Sequence, residues 1–415
     1  MRHFNIRHQA VILLLLFMIS SWSCQDATTS TSPYTDSSIP ALLTRNEKIR
    51  MGKEWDDVQS NYQKLKLAIE KNDADQESKI RLAQLFIREA RITGEHGHYY
   101  PAALTITERI LQNKGTDPSM TFLALVTKAG IQLSHHEFDK ALETGKLALT
   151  YNQSNAQLYG VLTDAYVELG QYENAIEMSD IMIKIKPDLR AYARISYIRE
   201  IHGQVDEAID AMKMAVEAGV PGYEDTAWAM QTLGNMYKMY GQPEKAKQVY
   251  QEILVSRPDY PFAVAALGEL QMEAQDYDKA ASTTQQAIDI IPEVGFYTQL
   301  AEIYKAQRKT DKFDQIIPEI LVMLKDDVDS GHNMNLEYAH IYLDLMDDPA
   351  MALKYAEKEY SRRPDNIDVN RMMAKIYAVQ EDEINKEKYL AAARRTNSKH
   401  PELLTIQSNS LSLKM

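Results

Sequence analysis

The chain is almost without cysteine, with one, Cys24, in 415 residues. No intramolecular disulfide can form, and a lone thiol makes a poor metal site. Glycine and proline are scarce too, at 16 and 14. That argues against a turn-rich all-β protein, which needs them at its reversals. Basic residues are in deficit. There are 46 Lys and Arg against 59 Asp and Glu, for a net charge of −13. Nucleic-acid binding is disfavoured, because phosphate neutralisation needs a basic face. The apolar run at 10–19 is too short for a stable membrane span. Catalytic motifs are missing as well. There is no glycine-rich phosphate loop, no nucleophile elbow and no His-x-x-Glu-His zinc spacing. The expectation is a protein that is not an enzyme and carries no cofactor.

What remains is ordinary for folded protein, at 45% hydrophobic and 25% charged. Residues 1–23 read as a secretion signal. Arg2 and Arg7 supply the positive start, 10–19 the apolar stretch, and 20–23 the mostly small residues before Cys24. A cysteine at that place resembles the lipobox of bacterial lipoproteins, in its looser Bacteroidota-like form, because Ser21 and Trp22 depart from the strict pattern. The resemblance implies diacylation of Cys24 and anchoring to a membrane through buried methylenes. The other reading is plain cleavage after Ser23 with a free thiol. Gln25, without an aspartate after the cysteine, implies the outer membrane by the same resemblance. Whether the protein faces the periplasm or the surface is left open.

Residues 24–44 are rich in Ser, Thr and Pro and read as a flexible tether. Within 45–72, Trp55, Val58, Tyr62, Leu65 and Ile69 recur at spacings of three and four, so they share one helical face. This is expected to be a capping helix. From 76 to 397 one theme recurs. Its best copies are Leu162-Thr163-x-x-Tyr166-x-x-x-Gly170-Gln171-x-x-x-Ala175 and Leu233-Gly234-x-x-Tyr237-x-x-x-Gly241-Gln242-x-x-x-Ala246, closing at Pro187 and Pro258. Small residues mark the theme at Ala83, Ala129, Thr163, Ser196, Gly234, Gly268, Ala301, Ala339 and Ala374, at intervals of 46, 34, 33, 38, 34, 33, 38 and 35. The long intervals predict insertions in turns, at 94–98, 219–222 and 326–331. Residues 398–415 read as a frayed tail.

The theme resembles the tetratricopeptide repeat, a 34-residue helix–turn–helix unit. The resemblance implies an all-α, right-handed superhelical solenoid of about nine hairpins. Small residues let paired helices approach, the turn glycine takes positive φ, and the closing proline stops the second helix. It also implies that the first helix of each unit lines a concave groove. On that reading Arg190, Arg194, Trp228, Gln231, Asn235 and Lys238 form a patch for a peptide or protein partner. Arg and Trp are common binding hot spots, and Arg pairs well with carboxylates. Equally open is that the arginines pair with the array's own acids and Trp228 packs on its neighbour. A full carboxylate clamp is absent, since Val126, Gly130 and Val161 stand where Lys and Asn would be needed.

The expected function is therefore a membrane-anchored interaction scaffold, an assembly, regulatory or accessory subunit of an envelope complex. The alternative is an uptake accessory lipoprotein for an oligosaccharide or a metal. His96 and His98 are the weak metal candidates, with His135 and His136 in the next turn. A closed site needs three or four ligands, so the polar-turn reading is preferred and no metal is assigned.

Overall fold

Short polar side chains begin many of the helices. Asp75, Asp117, Asn155, Asp188, Asp348, Asn366 and Asp382 each accept a hydrogen bond from a backbone N–H two or three residues on, satisfying a donor the helix itself cannot. The computed structural model describes residues 39–412, Lys114 excepted. The signal at 1–23, Cys24 and most of the expected tether lie outside the described residues.

Among the described residues every regular element is helical. Helix α1 (Gly52–Lys71) leads. Hairpins follow: α2 (Gln76–Thr93) with α3 (His96–Gln112), α4 (Pro118–Ser134) with α5 (Phe138–Leu149), α6 (Ala156–Glu168) with α7 (Tyr172–Ile185), and α8 (Leu189–Ile201) with α9 (Val205–Glu217). Then come α10 (Glu224–Met239) with α11 (Pro243–Ser256), α12 (Pro261–Glu273) with α13 (Tyr277–Ile288), and α14 (Val294–Ala306) with α15 (Thr310–Asp329). Last are α16 (Asn335–His340), extended by a π turn (Ile341–Leu345), with α17 (Pro349–Arg362), then α18 (Ile367–Val379) with α19 (Glu383–Ala393), and α20 (Pro401–Ser412). The marker residues all fall on even-numbered helices. Ala83, Ala129, Ala301, Ala339 and Ala374 are fully buried. At Gly234 an added Cβ would sit 2.3 Å from the ring of buried Tyr250, so only glycine lets α10 and α11 approach this closely.

Each hairpin turn carries a residue at positive φ: Gly94, His136, Gly170, Gly203, Gly241, Gln275, Arg308, Asp347 and Glu381. Prolines sit just beyond the second helices, at 187, 258, 292 and 364. A lysine from the second helix lies over the tyrosine of the first, Lys245 over Tyr237 at 5.4 Å and Lys312 over Tyr304 at 5.2 Å.

Two expectations need correction. The extra residues at 94–98 and 326–331 mostly lengthen helices instead of widening turns. His96 opens α3, and α15 runs through Asp329 to a stop at Gly331, at φ 103°. Leu, Met and Lys in α15 are strong helix formers and carry the helix on. Residues 401–412 are a helix, not a frayed tail. Leu403 and Ile406 are buried in the last core because the final hairpin would otherwise expose its apolar face. At the other end, residues 39–51 strap across the array. Tyr62 donates to the Pro40 carbonyl, and Ile49 is buried between Ile92 and Phe296.

The strap exposes the main feature of the fold. The solenoid winds back onto itself, and turns in its first half seat on loops in its second half. Arg257 reaches Glu54 across 203 residues at 3.1 Å. Asn333 N donates to the His135 carbonyl at 3.0 Å, and His136 Nδ1 lies 2.9 Å from the Asn333 carbonyl, 197 residues away. Asn366 donates to the Glu168 carbonyl across 198 residues, the Ile367 N–H donates to Tyr172, and Arg363 pairs with Glu168. Thr396 donates to the Ile201 carbonyl across 195. One superhelical turn thus takes about two hundred residues, and successive turns share a continuous seam.

Candidate groove on the inner face

Each even-numbered helix from α2 to α12 packs on the next even-numbered one, and α14 on the π turn that extends α16, so these helices form the inner wall. On α8, Arg194 forks onto Asp164 of α6, with Nε to Oδ1 at 2.8 Å and Nη2 to Oδ2 at 2.6 Å. Its Nε also donates to the Gly160 carbonyl at 3.2 Å. A Cβ at Gly160 would lie 3.0 Å from the Arg194 Cζ, so the guanidinium occupies the space a side chain would need. Arg190 meets Asp225 of α10 at 3.2 Å, both exposed. Lys238 pairs with Glu269 of α12. The three pairs form a ladder of opposite charges across α6, α8, α10 and α12.

Asn235 and Gln231 face each other on α10. Gln231 Nε2 donates to Asn235 Oδ1 at 3.1 Å, and the same oxygen accepts from the buried Tyr250 hydroxyl at 2.8 Å. Gln231 Oε1 has no hydrogen-bond partner among the described residues. These amides hold the inner helix on α11. Trp228 differs from the rest, because it is 47% exposed. It lies between the Arg190–Asp225 and Lys238–Glu269 pairs, on a wall whose cations are occupied.

The carboxylates that hold these cations were not singled out in the sequence. A signal was present, because Asp164, Asp225 and Glu269 stand about one repeat from their partners, with the opposite charge. Two acids of the wall, Glu302 and Glu200, form no ion pair among the described residues, although Lys375 and Arg371 lie close enough to lower them. Burial, and then the charges of Glu269 and Asp344, push Glu302 up to about 6. Burial raises Glu200 as well, although it accepts from Tyr240. The second superhelical turn also touches the first away from the hairpin turns. Tyr197 of α8 points its hydroxyl at Asp368 of α18, 3.4 Å away.

The histidines sit on the seam. His96 lies 5.8 Å from His332, and His332 lies 4.5 Å from His135, with Tyr100 edge-on to His135 (ring-centroid distances). His98 turns the other way, its Nε2 2.8 Å from the Ala41 carbonyl. Among the described residues no group of three or more ligating side chains is placed to hold a metal ion. Burial, more than neighbouring charge, lowers His135 to about 4 and His332 to about 3. The fold therefore prefers them neutral. Their contribution is complete above the ordinary histidine value of about 6.5 and is lost as pH falls toward about 4 and then about 3. Replacing His332 with Gln should make the urea midpoint fall less between pH 7 and pH 4 than it does in the unaltered protein. Equal falls in both would refute the assignment.

With the hairpins, the inner wall and the turn residues in place, the architecture is settled. The fold is a tetratricopeptide-repeat solenoid. No family model matches the chain. The solenoid is similar to lipopolysaccharide assembly protein B of Escherichia coli (strain K12), 25% identical over 190 residues, covering 43% of this chain and 46% of that one. The chain therefore spans about half the length of the curated relatives it matches. Among solved structures, the solenoid resembles the Cut9–Hcn1 hetero-tetramer of the APC/C, at 15% identity and a TM-score of 0.50, over 84% of this chain and 61% of that one. It also resembles YrrB, described as a TPR protein with an unusual peptide-binding site, at 21% identity and a TM-score of 0.29, over 49% of this chain and 96% of that one. No helix among the described residues is long and apolar enough to cross a membrane.

Proposed function

We propose that this solenoid is a non-enzymatic scaffold that holds an extended peptide or protein segment along its inner wall. On this reading the chain is anchored by a lipid on Cys24 and serves an envelope complex as an assembly, regulatory or accessory subunit. One observation carries the proposal. Trp228 is half-exposed on the inner face, while its polar neighbours are held in place by internal partners. An indole on a wall that is already fixed offers apolar area at little ordering cost. Arg190, with its single exposed partner, is the cation on this stretch that a ligand carboxylate could most easily recruit. Arg194, Gln231, Asn235 and Lys238 act by shaping the wall. A relative named for lipopolysaccharide assembly supports an envelope role.

Photo-crosslinking tests the reading. A benzophenone side chain at position 228, introduced in cells, should capture one defined envelope protein. The same probe at Leu147, exposed on the outer helix α5, should not. Trp228→Ala should reduce co-purification of that protein at least about tenfold, the usual loss at a hot spot. Identical adducts at both positions, or full recovery with Trp228→Ala, would refute it.

A further inference from the structure

The seam has two unfinished edges. Inside the molecule, hairpin turns 94–95, 135–137, 169–171 and 202–204 seat on the loops at 289–293, 330–334, 363–366 and 394–400. The same kind of loop recurs earlier in the chain, at 150–155, 186–188 and 218–223, where no hairpin turn among the described residues covers it. The same kind of turn recurs later, at 240–242, 274–276, 307–309, 346–348 and 380–382, with no loop of the described residues beneath it. Gly241 shows the vacancy directly. A Cβ there would meet nothing within 4 Å, whereas at Gly170 it would meet the Asp365 carbonyl at 2.2 Å.

Both edges expose apolar side chains. The loop edge shows Tyr151, Ile185, Val220 and Tyr223, the last 62% exposed. The turn edge shows Met239, Met346, Val379 and Ile384, the last 85% exposed. We propose that the two edges are complementary, and that the turn edge of one copy of this chain seats on the loop edge of a second copy, continuing the superhelix head to tail.

The internal seam supplies the pairing rule. It joins turn to loop through one backbone pair, Asn333 N–H to the His135 carbonyl, through side chains that bond backbone across the seam, as Asn366 and Thr396 do to the Glu168 and Ile201 carbonyls, and through cations over rings. Arg363 lies 4.8 Å from the ring centroid of Phe138, and Arg395 4.7 Å from that of Tyr172. Side chains at the free turns, Gln275, Arg308, Asp347 and Glu381, do not forbid the contact. His136 occupies the equivalent place at φ 55° and binds across the seam. The contact uses different surfaces on the two copies. It is heterologous and does not close unless the rotation happens to form a ring.

Sedimentation velocity of the full chain in mild detergent, with negative-stain imaging, tests this. The unaltered protein should form a concentration-dependent series extending beyond the dimer. Tyr223→Glu should disable one edge and Ile384→Glu the other, so each variant alone should stay monomeric. An equimolar mixture of the two should stop at a heterodimer, because only one good edge of each kind remains. Both sites are exposed, and Val220→Glu with Val379→Glu repeats the experiment should either variant fold poorly. A monomer at every concentration, a dimer that ends the series, or a series indifferent to both variants would overturn the proposal.

Discussion

Gly170→Ala should destabilise the protein by about 2–5 kcal/mol, while Gly241→Ala costs about 1–2 kcal/mol. Both glycines have positive φ, 73° and 75°, so both variants carry the intrinsic penalty of a left-handed residue, about 1–2 kcal/mol. They differ in what lies opposite. An alanine Cβ at 170 would fall 2.2 Å from the Asp365 carbonyl oxygen and 2.8 Å from the Asn366 nitrogen, both backbone atoms that cannot rotate away. Overpacking of this kind adds about 1–3 kcal/mol, and relieving it would break the Asn366 and Ile367 hydrogen bonds to Glu168 and Tyr172. Urea unfolding gives the totals, and hydrogen exchange locates them. The Gly170 variant should lose amide protection at both 169–172 and 363–367. Equal costs for the two variants would show that the seam contributes nothing.

The second large effect is at the strap. Arg45→Ala should cost about 3–5 kcal/mol, the usual range when one partner of a buried ion pair is removed. Arg45 and Glu89 have fully buried side chains and meet at 2.7 and 2.8 Å. Burial opposes the Arg45 charge, and Glu89 and Glu54 outweigh it. Glu54 also accepts from Arg257, so one carboxylate couples the strap to the second superhelical turn. Without Arg45, Glu89 is a buried anion without its cation. Arg45→Met with Glu89→Leu should recover most of the loss, because a buried pair contributes less than a broken one costs. A double variant as unstable as Arg45→Ala would show that the strap depends on the charges themselves.

These predictions separate what the sequence made legible from what it could not. The repeat unit is local. Ala83, Gly234, Ala246 and the closing prolines act within one hairpin or against its neighbour, and their spacing announces them. The seam is different, because its partners are 195–203 residues apart and share no spacing. Nothing in the sequence distinguishes Gly170, which faces another turn of the solenoid, from Gly241, where an added Cβ would meet nothing within 4 Å. The groove shows the same division. Arg190, Arg194, Trp228 and Lys238 were visible as residues the repeat does not require. The choice between ligand cations and internally paired ones needed Asp164, Asp225 and Glu269 in place. His332 was unremarkable in the sequence and became part of a cluster only when α15 brought it to His135 and His96.

The strap and seam also bear on how the chain is made. Repeat arrays usually fold unit by unit, each needing only its neighbour. Here the turns at 135–137 and 169–171 are complete early in synthesis, but their seats at 330–334 and 363–366 emerge about two hundred residues later. Whether it is delivered by the ribosome or, on the proposed reading, by export, the chain arrives N-terminus first, so the first half passes through an interval without its cover. Through it the first superhelical turn must persist with Tyr100, Tyr172 and the buried Arg45–Glu89 pair only partly enclosed. High contact order slows such closures further. The newborn first half therefore presents, for a time, the surface that the second half later covers, and a chaperone or a sister chain would meet it there first.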